Sequence, residues 1–178
     1  MRRLSAAICA SVLLAAASLA TTVRPVSVET LTGQASMIVH GQVMESWSAW
    51  DDQHHLIFTF TRVQVSKALK GQAQTLLVRQ LGGTVDGITV RASGVRHLLP
   101  GEETVLFLRP SEVHDGSMAI VGLMQGQFRV QRSSSGEATV SNGMPDVQQL
   151  SNGRIVQYNG AHMTLNELEQ RVKGANQK

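Results

Sequence analysis

The sequence predicts an all-β barrel or sandwich with a helix at each end of the β-rich region. Apolar, β-branched segments recur about every 8 to 15 residues between Met37 and Ser141, and turns that contain Gly or Pro separate them. Segments with helical periodicity and a capping residue lie at the two ends of this region. The chain of 178 residues is long enough to bury one core.

The first twenty residues have the organisation of a secretory signal. Arg2 and Arg3 form a basic start, and an apolar and small-residue run follows over Leu4–Ala17. The run is shorter than a comfortable membrane span, and Ser18-Leu19-Ala20 places small residues where signal peptidase requires them. We expect cleavage after Ala20 and export to the periplasm or the extracellular space. An uncleaved membrane anchor is the alternative.

Cleavage would change the composition of the chain. Cys9 is the only cysteine, so residues 21–178 contain none, and a core rather than disulfides must stabilise them. Loss of Arg2 and Arg3 lowers the count of Lys and Arg from 16 to 14 against 13 acids, and the formal charge falls from +3 to +1. No basic cluster remains for phosphates or anionic lipid, so we expect no nucleic-acid partner and no stable membrane anchor.

The first predicted elements are a helix and two long strands. Val28 and Leu31 have helical spacing, and Ser27 is a suitable residue to begin the helix. Met37–Met44 is apolar and β-branched, which predicts a strand. Leu56–Val65 alternates between two faces that are both partly apolar, as expected in a barrel or sandwich.

Turn residues separate the later strands. Lys67–Gly71 is predicted to be a turn, Asp86-Gly87 is a tight-hairpin signal within a ribbon over Thr84–Ala92, and Pro100-Gly101 predicts another turn. Thr104–Leu108 is a continuous apolar run, which predicts a central strand buried on both faces. The remaining predicted strands are Thr75–Gln80, Met118–Gly122, Gln127–Arg132 and Glu137–Ser141.

The C-terminal part combines a polar segment with a helix. Met144–Gly160 is rich in Asn, Gln and Gly, and we expect irregular structure with one weak strand at Ile155–Tyr158. Thr164 and Glu167 form a capping box that begins a helix, and Gly174 is expected to end it.

The sequence shows no internal repeat and no second domain boundary. We therefore expect a signal peptide over residues 1–20, one domain over residues 21–174, and a disordered tail over residues 175–178.

Three segments resemble known proteins: Ser36–Val43 (SMIVHGQV), Val63–Gly71 (VQVSKALKG) and Leu99–Leu108 (LPGEETVLFL). Their order resembles that in uncharacterised exported bacterial proteins and, more distantly, in the netrin-like domain of tissue inhibitors of metalloproteinases. In that domain a strand ending in V..V.KG precedes a G..YL.F strand. The resemblance covers about residues 27–130 and implies an OB-like, closed or partly open antiparallel barrel with flanking helices.

The resemblance does not imply protease inhibition. In that family an N-terminal cysteine places its amine and carbonyl on the protease zinc, and disulfides hold the adjacent ridge. Residues 21–178 contain no cysteine, so this chemistry is excluded, and the fold alone implies no other function.

The main candidate site lies between the first two long strands, where Trp47, Trp50, His54 and His55 are candidate partner-binding residues on a polar hairpin loop. Exposed tryptophans would provide a large contact area, whereas the alternative is that both fold back over the core. A metal site that uses His54 or His55 is the rival interpretation. Adjacent strand residues point to opposite faces, and no partner histidine follows at zinc-site spacing, which argues against it.

Motifs for catalysis are missing from the sequence. It has no Gly-x-Ser-x-Gly, and Gly82–Gly87 lacks the lysine and helix of a phosphate-binding loop, so it predicts a hairpin. The other histidines have no spacing that suggests a shared site: His40, His97, His114 and His162.

We therefore expect a non-enzymatic extracytoplasmic binding or accessory module that contacts another protein and uses no cofactor. One alternative is a metal-binding protein or metal-dependent enzyme that uses His54 or His55. A second alternative is a structural component of an exported assembly, which exposed strand edges would favour.

Overall fold

The computed structural model describes residues 21–113, 115–144, 147–151 and 153–177, so the predicted signal peptide lies outside the described residues. About half of the chain is in strands, and two α-helices flank them, which confirms the mostly β architecture. No helix in these ranges is long and apolar enough to span a membrane.

The helices are α1 (Val28–Gln34) and α2 (Leu165–Asn176). The strands are β1 (Thr21–Val23), β2 (Met37–Trp50), β3 (Ile57–Lys70), β4 (Thr75–Leu81), β5 (Gly83–Val85), β6 (Ile88–Val90), β7 (Glu103–Pro110), β8 (Met118–Ile120), β9 (Gln127–Arg132), β10 (Ala138–Ser141), β11 (Val147–Ser151), β12 (Arg154–Gln157) and β13 (His162–Thr164).

Five strands pair in a ring in the order β7, β2, β3, β4, β8 and back to β7. Neighbours are antiparallel except β4 and β8, which are parallel and joined by one residue pair, Val78 and Met118. Strand β7 pairs with β2 along one edge, and its other edge pairs with β9 in the first half and with β8 in the second. Every residue of Thr104–Leu108 is buried, which confirms the predicted central strand.

The two faces of β7 belong to two separate cores. Leu106 and Leu108 lie inside the ring, while Phe107 faces the helices and contacts Phe128 of β9, with ring centroids 5.7 Å apart. A strand covered on both faces has a continuous apolar sequence, which explains the run that predicted it. The other buried residues inside the ring are Val39, Val43, Val63, Leu76, Val78 and Leu98.

The predicted helix starts are confirmed. Ser27 Oγ accepts a hydrogen bond from the Thr30 amide at 3.1 Å, and Thr164 Oγ1 accepts one from the Glu167 amide at 3.1 Å. The predicted end of this helix at Gly174 is wrong, because α2 continues to Asn176. Lys178 lies outside the described residues. A glycine costs a helix about 1 kcal/mol relative to alanine, an amount that packing of the apolar stripe can offset.

Two segments predicted to be loops are strands in the structure. Their strand conformation comes from hydrogen-bonded pairing with neighbouring strands, and their side-chain pattern does not indicate it. Lys67–Lys70 continues β3 opposite β2, and the chain turns only at Gly71, whose φ is +73°. Most of the polar segment predicted to be irregular forms β11 and β12, which pair with β1 in a second sheet. All four residues of β12 are exposed, so no burial pattern marked this sheet, although the weak strand predicted at Ile155–Tyr158 overlaps β12.

Glu29 and Arg171 join the two helices, and this pair leads to a prediction about pH. The Arg171 side chain donates to both Glu29 oxygens at 2.7 and 2.9 Å and lowers the Glu29 pKa from 4.5 to about 2. Because the folded pKa is depressed, the stabilisation is complete above pH 4.5 and is lost as the pH falls towards 2. Half of the Glu29 side chain is exposed, so we expect Glu29→Gln to cost about 0.5–1 kcal/mol at neutral pH.

Urea unfolding of the wild type and Glu29→Gln between pH 7 and pH 2.5 measures this effect. The two proteins should converge in stability as the pH falls. Glu137→Gln, on the exposed loop before β10, serves as the control. A gap between the wild type and Glu29→Gln that stays constant down to pH 2.5 would contradict the assigned ion pair.

Candidate functional site

Strands β2 and β3 form a long antiparallel pair of 14 residues each. Its register places Trp47 opposite Phe60, and Phe60 lies opposite Arg79 of β4. Phe58 shares this face because side chains two residues apart in a strand point the same way. The pairing is irregular at Met44, where a bulge increases the local twist just before the aromatic residues. One outer face of β2, β3 and β4 therefore collects aromatic and arginine side chains.

The inner face of the same strand pair is polar and covered. Ser48 Oγ and Thr59 Oγ1 lie 3.1 Å apart, and the β5–β6 hairpin packs against them through Gly83. A side chain at Gly83 would collide with both hydroxyls, so glycine permits this approach. The hairpin turns at Asp86 and Gly87, whose φ values are +50° and +79°, which confirms the predicted turn.

We define the aromatic face as Trp47, Phe58, Phe60, Arg62 and Arg79. The Trp47 and Phe60 rings are stacked, with centroids 5.9 Å apart and planes inclined by 20°. The Arg62 guanidinium lies 5.9 Å from the Trp47 centroid, and the Arg79 guanidinium lies 3.7 Å from that of Phe58. Trp47 is 40% exposed and Arg62 is 52% exposed, so the face presents ring surface and a guanidinium to solvent.

Arg79 is held in place at the edge of this face. Its guanidinium lies over Phe58, and Nη1 donates to Asp115 Oδ2 at 3.2 Å. The hydrogen bonds from Ser117 to Asp115, with the charge of Arg79, lower the pKa of that carboxyl, so Asp115 is ionised at neutral pH. The Arg79 Nε is buried and has no hydrogen-bond partner among the described residues. Arg79 is thus fixed between the Phe58 ring and the Asp115 carboxylate.

The structure separates the residues of the predicted loop. Trp47 and Trp50 belong to β2 rather than to a loop, and they point to opposite faces because they are three residues apart. Pairing with β3 continues to the Trp50–Ile57 pair, which the polar turn sequence did not reveal. Trp50 is partly buried and stacks on His54 at a centroid distance of 6.2 Å.

Asp51 organises the short turn that follows. Its Oδ1 accepts hydrogen bonds from the amides of His55 and Leu56 at 2.7 and 3.1 Å, and these bonds lower the Asp51 pKa. His54 has φ +57°, a left-handed conformation that the tight turn imposes. Both histidines are exposed at the end of the strand pair. His54 stacks on Trp50, whereas Trp47 stacks on Phe60.

No group of three or more His, Cys, Asp or Glu side chains within the described ranges is arranged to hold a metal ion. His40 is instead within hydrogen-bond distance of Glu103, with 2.7 Å between Nε2 and Oε1. His97 Nε2 lies 3.0 Å from the Leu81 carbonyl oxygen, and His114 lies outside the described residues.

Of the residues on the aromatic face, only Trp47 was predicted from the sequence as a site residue. The alternation of Leu56–Val65 already placed Phe58, Phe60 and Arg62 on one side of a strand, and this was the available signal. Both sides of that strand are partly apolar, a pattern that predicts a covering element on each of them. Arg79 could not be found in this way because its position depends on the register between β3 and β4.

No protein-family model matches this chain, and no curated protein shows significant sequence similarity to it. The aromatic face is instead described by its own geometry. That geometry consists of the stacked pair of Trp47 and Phe60, with Trp47 partly exposed, and of two arginines placed over the Trp47 and Phe58 rings.

Proposed function

We propose that the chain from Thr21 onward is an exported, non-catalytic binding module with an OB-type, netrin-like barrel. In this proposal the aromatic face is the contact surface for a partner protein. The observation that carries it is the stacked Trp47–Phe60 pair with arginine guanidiniums beside the rings.

The closed ring of β2, β3, β4, β7 and β8 supports the OB-type part of the proposal. An OB-fold is a five-stranded, partly open barrel, and here a single residue pair joins β4 to β8. Such barrels bind through the face of their second and third strands and through the adjoining loops. Along the chain, the second and third strands of the ring are β3 and β4, which carry Phe58, Phe60, Arg62 and Arg79.

The composition of the aromatic face favours a protein as the partner. Tryptophan and arginine are enriched among the residues that dominate binding energy at protein interfaces. The rings are already stacked and the Arg79 side chain is 10% exposed, so binding would order few additional side chains. Arg62 is paired with Glu45 at 2.7 Å, which reduces the net positive charge that a nucleic acid would require.

The test compares two exposed apolar residues in different parts of the structure. We expect immobilised wild-type protein to retain a specific partner from the extracytoplasmic fraction of its own cells. Trp47→Ser should weaken that interaction about 10- to 100-fold, as for an interface hot spot. Ile155→Ser, on β12 and 61% exposed in the wild type, is the matched control and should bind normally.

The opposite pattern would reject the proposal. If Ile155→Ser loses the partner while folded Trp47→Ser retains it, the contact surface lies elsewhere. Circular dichroism of both variants establishes that each is folded before binding is compared.

A further inference from the structure

A cleft of about 360 Å³ opens beside the ring where β4 and β8 diverge beyond the pair of Val78 and Met118. Two features distinguish its lining: a mostly apolar wall and two arginines. The lining includes Arg79, Leu81, Arg109, Ala119, Ile120 and Leu123. This volume lies within the range of small-molecule sites, which combine apolar walls with a few polar groups.

The apolar part of the cleft is open to solvent. Leu81 is 37% exposed and Leu123 is 51% exposed at its rim. Leu123 also has φ +56°, a left-handed conformation that is unfavourable for leucine and that surrounding structure must hold in place. Ala119, opposite Arg109 in the β7–β8 pair, contributes a small side chain that leaves space in the cleft.

The two arginines differ in their availability. Arg79 is nine-tenths buried and its guanidinium already donates to Asp115 at 3.2 Å, so it supplies positive charge beside the cleft rather than an accessible donor. Arg109 is 54% exposed, and its pair with Glu112 is 3.3 Å long and also exposed, so water competes with that contact. An incoming carboxylate would provide charged acceptors for guanidinium donors, the stronger class of hydrogen bond.

These features together restrict the ligand. A purely ionic ligand would leave Leu81, Ala119 and Leu123 without an apolar partner, whereas a neutral apolar ligand would leave the weakly paired Arg109 guanidinium without an anionic acceptor. We propose that the cleft binds an apolar monocarboxylate, with its carboxylate near Arg79 and Arg109 and its tail along the apolar wall. This site is additional to the aromatic face. Arg79 borders both, while Arg109 and Ala119 line only the cleft.

The test uses octanoate and its neutral analogue octanamide, titrated into the purified protein by calorimetry. Octanoate should bind, and octanamide should bind at least about 10-fold more weakly. Arg109→Gln should weaken octanoate about 2- to 5-fold, and Ala119→Leu should weaken it about 10-fold or more by filling the cleft. Arg154→Gln, an exposed arginine on β12, is the matched control and should have no effect.

A short apolar peptide with a free C-terminal carboxylate, and its amidated form, identify the source of the ligand. Tighter binding of the free peptide than of octanoate indicates a chain terminus, and the reverse indicates a free carboxylic acid. Either result supports the site. Equal binding of octanoate and octanamide, full affinity in folded Ala119→Leu, or no octanoate binding at about 10 mM would overturn it.

Discussion

Phe107→Ala should destabilise the protein by about 3–5 kcal/mol, because it truncates one of the two largest side chains that are fully buried among the described residues. Phe107 lies on the helix-facing side of β7, and its ring packs against the Phe128 ring with the two ring centroids 5.7 Å apart. Removal of the ring loses apolar burial and leaves a cavity between the sheet and the helices. Strand β7 is paired with β2 on one edge and with β9 on the other, so its backbone cannot move to fill this cavity. Urea unfolding followed by circular dichroism measures the loss.

The melting temperature should fall by roughly 6–20 °C for this change in a protein of this size. Val156→Ala, on β12 and 41% exposed in the wild type, is the control and should change stability by less than about 0.5 kcal/mol. A loss below about 1 kcal/mol in Phe107→Ala would show that the helices do not pack on β7 as described.

Asn142→Leu should cost about 2–5 kcal/mol, because Asn142 joins two segments through buried hydrogen bonds. Its Nδ2 donates to the Gln125 carbonyl oxygen at 2.6 Å, and its Oδ1 accepts from the Ala161 amide at 2.7 Å. Leucine has a similar volume but leaves both backbone groups without partners. Gln125 extends the network by accepting from the Val26 amide at 2.8 Å.

Hydrogen exchange gives this prediction a local readout. The Ala161 amide should exchange much faster in Asn142→Leu than in the wild type, while amides of the ring strands should change only as global stability changes. Asn159→Leu makes the same substitution at an exposed position and should be nearly neutral. Unchanged protection of Ala161 would contradict the assigned network.

Most of the ring could be predicted from the sequence because burial leaves a pattern in it. Thr104–Leu108 is apolar at nearly every position, since it is covered on both faces, and capping residues marked both helix starts. Closure of the ring could not be predicted from the same evidence. Closure depends on the pair of Val78 and Met118, and on β7 pairing with β8 along the second half of one edge. Both features depend on the register between strands, which the composition of the strands does not reveal.

The candidate site was predicted only in part for a related reason. Trp47 was identified by its residue type, but its neighbours on the aromatic face come from β3 and β4 and are remote in sequence. Trp50 and His54 are close to Trp47 in sequence, yet the alternation of β2 places Trp50 on the other face. A cluster in sequence therefore became two separate groups in the structure.

The proposed contact through the aromatic face is tested most directly by replacing Phe60 with a photoreactive phenylalanine analogue and irradiating the protein in its own cells. The same analogue at Ile155 reports on an exposed surface elsewhere. We predict a discrete cross-linked product from position 60, reduced by Trp47→Ser, and no such product from position 155. A partner that cross-links from position 155 and not from position 60 would contradict the proposed binding surface.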